Sequence, residues 1–280
     1  MDNSKTKNGN REHRYELMRP QEIIAERERV PVVYVALGPL EWHGVHLPYG
    51  TDMLHAYSIA LDAAEKGGGV VLPPLPLGTE TMLGPQRERD RGFQGTERII
   101  GMDFPAFPLP SLYIEESAFG IIVKDIVRAL REQKYKVIVL MSGHGGGNHR
   151  ATLNRIAAEQ SVPGECIVLH AYGLREKSDY RGGHAEKGEV SFMLACYPET
   201  VDLKALPSLP QPLHNVEFGV LDYLTCVGKP TPDFTVREQQ DPRHATAEDG
   251  KKDQDYAVEM LVEMVRKALQ TMSPQEFPGR

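Results

Sequence analysis

Apolar runs alternate along the chain with stretches whose apolar positions recur every three to four residues, so strands and helices are predicted in turn. Residues 31–37 (PVVYVAL) are continuously apolar and rich in β-branched side chains. That pattern fits a strand covered on both faces, as in a parallel sheet. Residues 70–72, 136–141 and 166–169 read as further strands. Among the helices, Asp52 is placed to cap one running to about Lys66, which Gly67 ends. Ser117 caps another, in which Phe119, Ile122, Val123, Ile126, Val127 and Leu130 share one face of a 3.6-residue period. Residues 149–160 and 186–196 read as helices, and a last one over about 253–272 carries Ala257, Met260, Leu261, Met264, Val265 and Ala268 on one side. A short helix follows Pro20. Strands alternating with helices predict βαβ units, hence an α/β fold around a mostly parallel sheet.

Other stretches break the rhythm. Residues 1–14 are expected to be a disordered tail preceding a single domain over 15–280. Residues 79–116 hold many Gly, Pro and Arg residues without periodicity, as expected of a lid, a binding loop or an oligomer arm. Residues 203–250 are loop-rich, with prolines at 207, 210, 212, 230, 232 and 242.

Composition narrows the function. The 280 residues are 40% hydrophobic and 25% charged, as in soluble globular proteins, and the formal net charge is −7. A mildly acidic chain lacks the clustered Lys and Arg that phosphate backbones require, so no nucleic-acid partner is expected. Cys166, Cys196 and Cys226 are far apart and odd in number, which argues for a reducing compartment rather than a disulfide framework. The first residues are polar and no run of about 18 apolar residues occurs, so no signal peptide or membrane span is expected and the cytoplasm is the expected address.

Ligands of such sheets bind beyond the carboxyl ends of the strands. Two loops fall there. The first, from Gly38 to Asp52, carries Glu41, His43, His46 and Asp52; the second, from Ser142 to His149, carries His144 among Gly143, Gly145, Gly146 and Gly147. Carboxylate oxygen and neutral imidazole suit Zn²⁺, Mn²⁺ or Fe²⁺. In an extended segment Glu41 and His43 project the same way, and Asp52 returns at a helix start, where its carboxylate can bridge two ions. Each residue alone also fits a plainer role: a surface carboxylate, a core or turn histidine, a helix cap. Together they favour a metal site. The glycines of the second loop allow a close backbone approach, but the loop lacks the Lys and Ser/Thr of a phosphate-binding P-loop. A third feature, His184 to Ser191, reads on its own as a solvated charged helix start. No GxSxG elbow occurs and no cysteine has nucleophile-like surroundings, which argues against serine or cysteine catalysis.

Taken in order, these pieces resemble the creatininase family. Glu41-Trp42-His43-Gly44-Val45-His46-Leu47-Pro48-Tyr49-Gly50-Thr51-Asp52 matches its Glu-x-His-Gly-x-His-Leu-Pro-x-Gly-Thr-Asp loop. Gly143 to Asn148 matches a Gly-His-Gly-Gly-Asn loop, His184 to Ser191 a His-Ala-x-x-x-Glu-x-Ser helix start, and Ala245 to Gly250 a late Ala-Thr-Ala-Glu-x-Gly element. The resemblance implies a three-layer α/β sandwich, two divalent metal ions (zinc, manganese or iron) and hydrolysis of a C–N bond in a small-molecule substrate. It implies that Glu41, Asp52 and His144 hold one ion, and that His43, Asp52 and a further carboxylate hold the other. In creatininase that carboxylate follows the histidine equivalent to His144; here the position is Gly146, and Glu189 is the expected replacement. His184, with Glu189, is the expected catalytic group, as proton shuttle or carbonyl polariser. Trp42, Gly145, Gly146 and Asn148 are expected to contact substrate. A homo-oligomer, commonly a hexamer, is implied as well. The chain departs from the pattern in an extra glycine before Asn148, in Trp42 for the usual Gln, in a longer 79–116 segment, and in having no second tryptophan. Family members also open formamides, cleave a peptide and hydrolyse oxidised inositols, so a cyclic polyol ketone is a rival substrate class. Arg87, Arg89, Arg91 and Glu97 suit an anionic or polyhydroxylated molecule. A non-catalytic ligand-binding protein is a further alternative.

Overall fold

The computed structural model describes residues 11–79, 85–90, 103, 109–174, 183–215, 222 and 234–272. Strands β1 (Val32–Leu37), β2 (Val70–Val71), β3 (Val137–Ser142) and β4 (Ile167–Ala171) form one sheet in the order β2-β1-β3-β4. All neighbours are parallel, with Val33 beside Val70, Val35 beside Leu140 and Ile138 beside Val168. Every residue of β1 and β3 is buried, as the apolar runs Val32–Leu37 and Val137–Met141 require, and Ser142 at the end of β3 is buried with them.

The helices are α1 (Pro20–Arg29), α2 (Thr51–Gly67), a short α3 (Pro85–Asp90), α4 (Glu116–Glu132), α5 (Gly147–Gln160), α6 (Lys187–Cys196) and α7 (Ala247–Thr271). They lie on both faces of the sheet. On one face Tyr34, Ala36, Val139 and Met141 pack with Ala60 of α2, Met193 of α6 and Leu261 of α7. On the other, Val35, Leu37, Ile138 and Leu140 pack with Phe119 and Val123 of α4 and Ile156 of α5. Burying each of the Val, Leu, Ile, Phe and Met side chains contributes roughly 1.5–3 kcal/mol. The result is the expected three-layer α/β sandwich. A two-stranded antiparallel ribbon, β5 (His214–Asn215) with β6 (Phe234–Thr235), lies outside this sheet.

Several boundaries differ from the sequence reading. The expected tail is too long at its inner end: His13 is buried, its carbonyl accepts from Val71 N–H at 2.8 Å, and Arg14 bridges in parallel to Val71. A short polar segment can still add to a strand edge through its backbone, which no hydrophobic pattern reveals. Asp52 does not cap α2; the cap is Gly50, and Asp52 sits within the first turn. Helix α4 starts one residue before Ser117. Helix α7 starts at Ala247 rather than near 253, with Thr246 Oγ1 accepting from Asp249 N–H at 3.1 Å. Its first turn reads as loop because it contains Gly250, yet that glycine is what the packing demands. A Cβ there would stand 1.9 Å from the carbonyl oxygen of Ser191 in α6.

The 79–116 segment is described at Thr79, 85–90, Asp103 and 109–116. Arg91, Glu97 and the side chain of Arg87 lie outside the described residues, as does Cys226; Cys166 and Cys196 are free thiols. No helix among the described residues is long and apolar enough to cross a membrane.

Candidate metal centre

The loops after β1 and β3, neighbouring strands at the middle of the sheet, meet over the first turn of α2. The first loop closes on itself: Glu41 N–H donates to the Tyr49 carbonyl at 2.9 Å, and Thr51 Oγ1 to the Pro48 carbonyl at 2.7 Å. The second runs against the backbone of Asp52, so closely that a Cβ on Gly143 would stand 2.1 Å from the Asp52 carbonyl oxygen. Only glycine permits that approach. It sets His144 beside Asp52, which stand 92 residues apart in the chain.

The structure thus brings Glu41, His43, Asp52, His144, His184 and Glu189 together. Asp52 is at the centre, with Oδ1 3.3 Å from His43 Nε2 and Oδ2 3.1 Å from His144 Nδ1. Glu41 Oε2 lies 3.3 Å from His144 Nδ1 and 3.7 Å from His184 Nδ1. Glu189 Oε2 lies 3.9 Å from His43 Nε2. Donors that share one ion at ~2.1 Å stand about 3–4 Å apart, which is the spacing found here. Among the described residues, three groups have ligand atoms within 4.8 Å of one another: Glu41, Asp52 and His144; His43, Asp52 and Glu189; and Glu41, His43 and His184.

Hydrogen bonds fix the imidazoles. His43 Nδ1–H donates to the Glu41 carbonyl at 3.0 Å, which leaves Nε2 facing the carboxylates, where it holds either a proton or a cation. That nitrogen is fully buried and makes no hydrogen bond among the described residues. A buried lone pair opposite carboxylate oxygen is repulsive unless a proton or a cation lies between them. The donor set therefore fits a divalent cation. His184 Nε2–H donates to the Trp42 carbonyl, so its Nδ1 is the nitrogen left toward Glu41.

Ionisation reports the same field. Burial opposes a charge on His43, but Asp52, Glu189 and Glu41 outweigh it and raise its pKa to about 10. Burial likewise opposes a charge on His144, which Glu41 and Asp52 raise to about 10. Asp52 is held well below the usual carboxylate range, because His43 and His144 overcome the effect of burial. Burial, reinforced by His43, lowers the pKa of His184 and keeps its imidazole neutral.

A supporting layer surrounds these groups. Tyr113 Oη–H donates to Glu41 Oε1. The segment bearing it is fixed by Leu112 N–H donating to the Leu40 carbonyl at 2.7 Å and Ile114 N–H donating to the Gly78 carbonyl at 2.8 Å. Trp42 N–H donates to Ser111 Oγ at 2.9 Å, and Ser111 Oγ–H to the buried Asp103 at 2.6 Å. Behind His144, the neutral His149 accepts from Thr79 N–H through Nδ1 at 3.4 Å and donates through Nε2 to Ser142 Oγ at 2.9 Å. Sequence reasoning missed Tyr113, Ser111, Asp103 and His149. Only the placement of Tyr113, Ser111 and Asp103 in the aperiodic 79–116 segment hinted at a role.

The expected substrate contacts are placed as follows. Trp42 is buried and packs edge-on to Tyr49, with ring centroids 6.2 Å apart. Gly145 is exposed beside the Tyr172 hydroxyl, and Gly146 is the residue before the first turn of α5. Asn148 Nδ2–H donates to Glu116 Oε2 at 3.4 Å, which ties α5 to α4. Arg89 is exposed and donates to Gln86 at 3.0 Å.

Fold and site together define an α/β protein with a buried carboxylate–imidazole cluster at the carboxyl ends of parallel strands. Comparison with known proteins gives the family: the model described as creatinine amidohydrolase matches residues 16–265, and the chain belongs to the creatininase family of amidohydrolase enzymes. A creatinine amidohydrolase of Pseudomonas putida is 24% identical over 269 residues, covering 88% of this chain and 90% of that one. Among solved structures, a Bacteroides fragilis protein described as a candidate creatinine amidohydrolase superposes with a TM-score of 0.65 at 22% identity, covering 93% of this chain and 98% of its own. A manganese form of creatininase gives 0.62 at 20% identity, covering 96% and 100%.

Proposed function

We propose that this protein is a two-ion metal hydrolase that opens a C–N bond, an amide in a small and often cyclic molecule, with an activated water. The observation that carries the reading is the central position of Asp52, whose two oxygens face His43 on one side and His144 on the other. Glu41, Asp52 and His144 would hold one ion, and His43, Asp52 and Glu189 the other. Such ions, when bound, lower the pKa of a water from ~15.7 toward ~7 and polarise a carbonyl oxygen.

The chain's own groups do the rest. His43 Nδ1–H on the Glu41 carbonyl fixes the tautomer that leaves Nε2 free to ligate. His184 is neutral, and its Nδ1 can accept the proton released as water attacks the carbonyl and pass it to the leaving nitrogen. The Trp42 carbonyl holds that ring in place and supports the imidazolium form while the proton is carried. Burial of every candidate ligand but Glu189, which is partly buried, limits bulk water and strengthens each electrostatic contact.

The test is product analysis over cyclic amides, formamides and oxidised inositols, with protein purified without chelator. Appearance of a carboxylate together with a freed nitrogen (released from a formamide, retained on an opened ring), stopped by chelation and restored by Zn²⁺ or Mn²⁺, supports the reading. Ring opening of a polyol ketone without amine release would replace C–N cleavage with the rival substrate class.

A further inference from the structure

His46 belongs to the first motif, yet it is in none of the three groups of candidate ligands. It is buried, and its Nε2–H donates to the carbonyl of Ala185 at 3.0 Å, across 139 residues of sequence. Ala185 is itself fully buried and has φ +56°, in the left-handed region that a residue with a Cβ seldom occupies. Such a conformation persists only where the surroundings hold it. The turn does two things at once. It carries His184, whose Nε2–H is bonded to the Trp42 carbonyl. It also turns the Ala185 N–H onto Glu189 Oε2 at 2.6 Å, the same oxygen that faces His43 Nε2.

We propose that His46 is a positioning residue: by holding the Ala185 carbonyl it maintains the left-handed turn that sets Glu189 against His43 and presents His184 to the same site. His46 acts through Ala185 and touches no reacting atom. The inference rests on the two-ion reading above and assigns His46 to one of the two ions, the one held by His43, Asp52 and Glu189. The group of Glu41, Asp52 and His144 does not depend on this turn.

The experiment uses the full chain, stripped with chelator and titrated with Zn²⁺ against a chromogenic competitor, alongside melting of the metal-free protein. Gln at position 46 can place its amide N–H near the site of Nε2, whereas Asn falls short of the Ala185 carbonyl. Both are polar and neutral, so they make a fair pair. His46→Gln is expected to keep both Zn²⁺ affinities, and His46→Asn to weaken one of them by roughly 10–100-fold while the other is unchanged. Equal behaviour of the two variants overturns the proposal, as does a parallel loss of both ions that tracks a lower melting temperature, which marks a merely structural role. A wild-type chain that takes up fewer than two ions removes the two-ion reading, and this role with it.

Discussion

Tyr113 donates its hydroxyl proton to Glu41 Oε1 across 72 residues of sequence, while Oε2 of the same carboxylate faces His144 at 3.3 Å. The phenol thus occupies one oxygen of a candidate ligand and directs the other into the cluster. Outer partners of this kind orient a ligand and commonly contribute 10–100-fold in metal affinity. Tyr113→Phe is expected to weaken one ion by roughly tenfold, with no change in the fold. Competitive Zn²⁺ titration with circular dichroism checks both parts.

Metal uptake should release protons. In the metal-free chain His43 and His144 have pKa values raised from 6.5 to about 10, so both are charged at neutral pH. Because these values are raised, the imidazolium–carboxylate contacts stabilise the metal-free fold fully below about 6.5 and are lost as pH rises through about 10. Ligation needs neutral imidazole, so affinity should increase with pH across that window. Calorimetric titration with Zn²⁺ near neutral pH, in buffers of different ionisation enthalpy, should give up to about two protons released per chain. A heat independent of buffer would contradict the account.

On the proposed reading, His184 would carry the proton chemistry rather than a metal ion. His184→Ala is expected to lower kcat by roughly 10²–10⁴-fold while metal content and KM change little. His144→Ala should instead lose one of the two ions. Elemental analysis set beside kinetics separates the two.

Gly250 is a packing requirement. The Cβ of Gly250→Ala would stand 1.9 Å from the Ser191 carbonyl, so α6 and α7 must separate. Overpacking of this kind costs about 1–3 kcal/mol, and at roughly 2–4 °C per kcal/mol the melting temperature should fall by several degrees. Calorimetric melting of the metal-free variant reads this directly.

The frame of this molecule was legible where one physical signal dominates. The apolar runs of β1 and β3 and the periodic face of α4 come from burial on both sides of a sheet, and they sit within a residue or two of expectation. The candidate ligands were legible because Glu41, His43 and Asp52 crowd a short loop with donors that share one preference. Contacts made by polar groups over long separations were not. Asp52 was legible as a candidate bridging carboxylate but also read as the cap of α2, which is Gly50, and the approach of the Gly143 loop that sets it beside His144 left no local signal. Tyr113 and Asp103 lie in a segment with no period to read. The start of α7 was obscured by Gly250, whose small size serves packing with α6 rather than a turn.

The central claim is that Asp52 joins two metal positions. Elemental analysis of the wild type and of Asp52→Ala, both purified without chelator, tests it most directly. The account predicts about two ions per chain in the wild type and loss of both in the variant, whereas His144→Ala keeps one. A wild type that holds no metal and takes up neither Zn²⁺ nor Mn²⁺, or an Asp52→Ala variant that still binds both ions, would contradict it.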